Sequence, residues 1–152
     1  LHAMTPPGGE HGRLSLELGH LIRSHAKSRS LGAVIVESGF ILERAPDTVR
    51  SPDVAFIAAD RASHARTPKY IPVAPDFVAE VLSPNDAADH VTEKVRWWLS
   101  HGVALVWVVD PRSRTVAAYR PGGDAHLYGE THDASLDPPI TGLTIRLSEL
   151  FA

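Results

Sequence analysis

The sequence contains no cysteine, which removes disulfides, thiolate zinc sites and thiol nucleophiles together. It gives no sign of an oxidising compartment, so the cytoplasm is the expected location. No apolar run reaches the roughly 20 residues that a membrane-spanning helix needs, and no charged segment followed by an apolar stretch opens the chain as a secretory signal would. A soluble protein with no membrane partner is expected. Positive charge is not in excess either. The net charge is −3, so contact with a polyanion such as DNA has to come from a local basic patch. Familiar catalytic signatures are also missing: His-Glu-x-x-His, a phosphate-binding glycine loop and Gly-x-Ser-x-Gly do not occur. Zinc proteases, P-loop ATPases and serine hydrolases therefore lack support.

What is present fits one ordinary folded domain spanning residues 1–152. At 152 residues, 43% hydrophobic and 22% charged, the chain is long and apolar enough for a single core. No internal repeat, low-complexity tract or linker divides it. The chain opens Leu1-His2-Ala3-Met4 rather than with a start methionine, and a short natural segment upstream is expected to be missing.

Periodicity sketches the elements. After Pro6-Pro7-Gly8-Gly9, the residues Leu14, Leu18, Leu21 and Ile22 recur at helical spacing, which predicts a first helix from about Gly9 to Lys27. Val34, Val36 and Phe40 to Leu42 suit a hairpin or two consecutive strands, and a strand from Asp53 to Ala58 follows Pro52. Residues 59 to 74 are polar and basic, a short helix and loop of the kind that lines a site. A strand runs from Phe77 to Leu82. Ser83-Pro84-Asn85-Asp86 is turn and cap chemistry before a second helix, Ala88 to His101, with Val91, Val95, Trp98 and Leu99 on one stripe. Gly102 ends that helix, and Val103 to Val109 reads as a central strand buried on both faces. Thr115 to Arg120 and Ala125 to Gly129 flank a hairpin turn; Leu143 to Leu147 and a short helix close the chain. This order argues an α/β (α+β) fold, a mixed sheet with helices on its faces.

Glu80 is the most informative residue. Its strand is apolar on both faces, and a carboxylate there pays several kcal/mol of desolvation unless a cation or strong hydrogen bonds offset it. It is either a metal ligand or a strand-end glutamate reaching solvent. Asp53 stands where Ser51-Pro52 hands over to an apolar strand, as a turn device or as a second ligand. Adjacent strands lie about 4.8 Å apart, so carboxylates on two of them can hold one hard cation, magnesium above all. Lys94 falls at the border of the buried stripe of its helix, where it either covers apolar surface or aims its ammonium at the carboxylates. His11 points along the core-facing line of the first helix, as a group behind the ligands or as a buried or capping histidine. The other histidines show no metal spacing.

Taken together, Ser51-Pro52-Asp53-Val54-Ala55-Phe56, Glu80-Val81-Leu82-Ser83-Pro84, Lys94, and Gly102-Val103 through Trp107-Val108-Val109-Asp110-Pro111 resemble the Uma2 family of restriction-endonuclease-like proteins over almost the whole chain. The resemblance implies the PD-(D/E)XK nuclease superfamily, with a restriction-endonuclease-like mixed sheet flanked by helices and a magnesium- or manganese-dependent attack of water on a phosphodiester. Asp53 would be the first acid and Glu80 the second. Leu82 occupies the place of the superfamily's usual lysine, and Lys94 looks like its migrated replacement. Glu10-His11-Gly12 also matches a family feature. The acidic segment that family members usually carry before Pro6 is missing. DNA is then the expected partner and a homodimer is possible; Arg44, Arg50, Arg61, Arg66 and Lys69, which cluster in sequence, are either strand contacts around the mouth of the site or cations of a solvated loop. Two other readings stand beside this one: a nuclease fold kept as a catalytically silent binding or regulatory module, and a hydrolase of smaller phosphoesters.

Overall fold

In the computed structural model, which describes residues 7–152, the spacing of Leu14, Leu18 and Ile22 becomes the fully buried line of a long helix, α1 (Gly9–Ser28). Residues 1–6, and with them the expectation about what precedes Pro6, lie outside the described residues. After α1 come β1 (Gly32–Val36), β2 (Phe40–Glu43), β3 (Thr48–Arg50) and β4 (Val54–Ala58). A single 3-10 turn (Ala62–Ala65) stands where a short helix is expected, before β5 (Phe77–Val81) and α2 (Ala88–Ser100). The chain ends with β6 (Leu105–Asp110), β7 (Thr115–Tyr119), β8 (Ala125–Gly129), β9 (Asp133–Ser135), β10 (Thr144–Arg146) and the short α3 (Leu147–Leu150).

Six strands make the central sheet, in the order β1-β4-β5-β6-β7-β8. Every neighbouring pair is antiparallel except β5 and β6, which run parallel. A parallel pair needs a crossover, and α2 supplies it. The fold is thus a mixed sheet flanked by helices, as the order of elements argues. Strand β6 reads as an unbroken apolar run from Leu105 to Val109, and β5 is apolar except for Glu80, because both faces of each strand are covered. Phe77, Ala79 and Val81 pack in the α1 layer with Trp107 and Val109, whereas Val78 and Val106 pack in the α2 layer with Val95 and Trp98.

Of the hairpin and the two consecutive strands that the Val34–Leu42 pattern allows, the structure has the consecutive strands: β1 pairs with β4 in the main sheet while β2 pairs with β3 in a separate ribbon. The three-residue strands β3 and β9 are too short to leave a period-two signal between their flanking turns.

The β4–β5 register fixes what matters for function. Val54 lies opposite Ala79, and Phe56 opposite Phe77. One step further along the same antiparallel ladder sets Asp53 beside Glu80, where β4 begins and β5 ends.

Candidate metal centre and active site

Period two along β5 turns Glu80 toward the α2 layer together with Val78. There its Oε2 accepts a hydrogen bond from the indole Nε1 of Trp98 at 3.0 Å, and Glu80 retains only 9% of its exposure. Burial is the main influence on its carboxyl and pushes the pKa up to about 7, against the opposing pull of Lys94 and of the indole donor. Asp53 and Asp86 add to the upward shift through like charge. A proton held this firmly near neutrality marks a carboxylate that lacks a full complement of positive charge.

Asp53 is tied on both oxygens. Oδ2 accepts the backbone N–H of Val81 at 2.7 Å, and Oδ1 lies 3.1 Å from Nε2 of His11. Burial raises its pKa, while the Val81 N–H, His11 and Lys94 act to lower it. His11 comes from the first turn of α1 and is nearly as buried as Glu80. Among the described residues its Nδ1 is buried without a hydrogen-bond partner.

Asp53, Glu80, Lys94 and His11 line one small cavity of about 160 Å³, together with Ser51, Val81, Leu82, Ser83, Asp86 and Val91. The four candidate residues therefore meet. Lys94 reaches the cavity from α2 and acts electrostatically on both carboxylates. It makes no ion pair within 4.0 Å with either of them. Leu82, on the strand side, and Lys94, on the helix side, both lie in the wall.

Glu10 does not join them. Its carboxylate is exposed and held by Arg13 at 2.7 and 3.2 Å. The basic set divides as well. Arg61 sits past the other end of β4, where Asp76 binds both its guanidinium and the N–H of Ala58, so a five-residue strand separates it from the site. Arg50 is held by both oxygens of Glu93 and stacks 4.8 Å over Trp97. Arg44, Arg66 and Lys69 line a separate surface groove. The expected basic mouth fails because acidic partners elsewhere in the fold engage two of its five members.

Two residues with a part in the site were not legible in the sequence. Trp98 reads as core, and nothing in its spacing signals a donor for Glu80. Asp86 reads as turn chemistry, and its Oδ2 does accept the Ser83 N–H at 2.6 Å, yet it also lines the cavity.

The donor set fits a hard divalent cation. Two carboxylates from neighbouring strands face one polar cavity, and one of them is poorly neutralised. Among the described residues no group of three or more His, Asp or Glu side chains forms a closed metal cage. Two protein oxygens with the remaining positions left to water and substrate is the arrangement magnesium favours.

No curated protein matches the chain. A crystal structure from Anabaena variabilis ATCC 29413, described as a "putative nuclease belonging to DUF820", is similar in fold, with a TM-score of 0.84 at 24% identity over 99% of this chain and 84% of that one. The family model for Uma2, described as "Putative restriction endonuclease", matches residues 1–148. The chain belongs to the Uma2 family.

Proposed function

We propose that this protein is an endonuclease that hydrolyses phosphodiester bonds in DNA, using a magnesium or manganese ion held by Asp53 and Glu80. The observation that carries the reading is the meeting of two acids from adjacent strands and a lysine from α2 in one cavity. Membership of the Uma2 family, whose description is "Putative restriction endonuclease", supports it. When bound, the ion supplies the charge that polarises a phosphoryl oxygen and lowers the pKa of water.

The chain's own residues have distinct tasks. Asp53 and Glu80 offer oxygen ligands and require both carboxylates to be ionised. His11 and the Val81 N–H fix the orientation of Asp53, and Trp98 fixes that of Glu80. Lys94 orients the attacking water and opposes the negative charge that grows on the phosphoryl group. Cleavage of both strands would call for two chains related by symmetry.

The test is conversion of supercoiled plasmid to the nicked form in magnesium or manganese. Wild type is expected to nick, and Asp53→Asn and Glu80→Gln are expected to lose the activity while remaining folded. Cleavage that persists in either variant overturns the assignment.

A further inference from the structure

We infer that the surface groove lined by Arg44, Arg66, Lys69 and Tyr70 is a track for single-stranded nucleic acid, with Tyr70 as a base-stacking platform and the three cations as phosphate contacts. The inference deepens the proposed phosphodiester chemistry by naming the form of its substrate, and its binding test does not require cleavage.

The groove has a volume of about 980 Å³, far more than the cavity at Asp53 and Glu80. Its lining is one-sided in charge, with Arg44, Arg66 and Lys69 against a single acid, Asp47. Asp47 approaches Arg44 only to 4.0 Å, and both are more than half exposed. A pair of that kind contributes little and leaves the guanidinium available. In a chain of net charge −3 this is a local basic patch of the sort that polyanion contact requires.

Tyr70 gives the groove a second property. The residue is 57% exposed, and its ring rests against the backbone at Gly39. A Cβ at Gly39 would meet its ring at 2.7 Å, so only glycine allows the ring to rest against that turn. On the C-terminal side the backbone is clamped to β2: Ile71 N–H donates to Gly39 O and Ile41 N–H donates to Ile71 O, each at 2.9 Å. On the other side the Lys69 N–H donates to Thr67 Oγ1. A broad aromatic surface on a tethered backbone and left to solvent costs little conformational freedom to stack upon, since a tyrosine has only two side-chain torsions to fix. Duplex DNA hides its base faces, whereas an unpaired base can stack on such a ring while cations follow the backbone.

The chain ties one edge of the groove to the strand that carries Asp53: Glu37 N–H donates to the carbonyl of Asp53 at 3.3 Å, and Ser38, the next residue, lines the groove.

Fluorescence anisotropy of a fluorescein-labelled oligothymidylate with the full chain in EDTA tests this, with unlabelled duplex as competitor. The wild type is expected to bind the oligonucleotide in preference to the duplex. Tyr70→Ala is expected to weaken binding roughly tenfold, the low end of one stacked base, and Tyr70→Phe to restore it. Arg66→Ala with Lys69→Ala is expected to lower the slope of log affinity against log salt by roughly 1.4, about 0.7 for each phosphate contact. Asp53→Asn and Glu80→Gln are expected to bind at least as tightly as wild type. Absence of binding, duplex preference, or binding indifferent to Tyr70→Ala and to the double variant overturns the groove assignment even where plasmid nicking stands. Binding that follows this pattern in a protein that never nicks supports the groove and sinks the hydrolytic reading alone.

Discussion

Trp98 donates its indole N–H to Glu80 across 3.0 Å, and it stands one helical turn beyond Lys94 on α2. One helix thus delivers both the cation that acts on the two acids and the donor that fixes the rotamer of the more buried one. Trp98 is itself immobilised, fully buried with its ring edge-on to Phe40 at a centroid separation of 6.1 Å.

Trp98→Phe keeps most of the packing and deletes the donor. The indole N–H favours the ionised form of Glu80, so its loss raises a pKa that already lies at about 7. The pH midpoint of metal-dependent activity is expected to move upward. The loss of a buried hydrogen bond to a charged group is expected to cost about 1–3 kcal/mol of stability. A pH–rate profile and a denaturant melt of the same variant check the two effects separately.

Glu80 also makes stability depend on pH in metal-free protein. Its folded pKa of about 7 lies above the usual value of 4.5, so between these values the folded state holds a proton that the unfolded state has released. Stability is fully retained below about 4.5 and falls as pH rises through about 7, by on the order of 3 kcal/mol at the conversion of 1.36 kcal/mol per unit. Glu80→Gln removes that titration. In EDTA its melting temperature is expected to exceed wild type at pH 8, with the gap closing as pH falls through the same window.

Asp53 has a structural task beside the proposed one, because its Oδ2 satisfies the Val81 N–H. Asp53→Ala strands that donor and is expected to lose about 1–3 kcal/mol. Asp53→Asn retains an acceptor and is expected to melt closer to wild type while losing nicking just as completely. Comparing the two variants by thermal melt and plasmid assay separates a folding effect from a ligand effect.

Lys94→Met is expected to fold and to lower the nicking rate by about 10²–10³, the usual range for deleting one stabilising charge at a developing anion. It also removes a positive charge that acts on Glu80, so the remaining activity is expected to require higher pH. A profile of rate against pH reads both effects.

Asp76 is the internal control. Like Asp53 it follows a proline at the head of a strand, but the antiparallel register carries it to the opposite end of the sheet, where it binds Arg61 and the Ala58 N–H. Asp76→Ala is expected to cost about 1–3 kcal/mol and to leave the rate per folded molecule unchanged. Nicking normalised to the folded fraction checks this.

The contrast between Asp53 and Asp76 shows how far the sequence could be read. The helices and the long strands were legible because their apolar residues repeat with a period tied to burial. Glu80 was legible because a carboxylate inside an apolar strand is costly and calls for a reason. Which Pro-Asp pair faces Glu80 depends on strand pairing, a relation between distant residues, and only the resemblance of the 51–56 string selected Asp53. The choice between a β1–β2 hairpin and two separately paired strands depends on the same kind of distant relation. The role of Trp98 and the division of the five basic residues were beyond reach, since both depend on which partner a side chain meets in space.

The most direct test of the shared ion is a calorimetric titration of Mn²⁺ into metal-free wild type, Asp53→Asn and Glu80→Gln at pH 8, where Glu80 is ionised. One site per chain is expected in wild type and none in either variant. Equal binding in all three, or no binding in wild type, would contradict a cation held between Asp53 and Glu80.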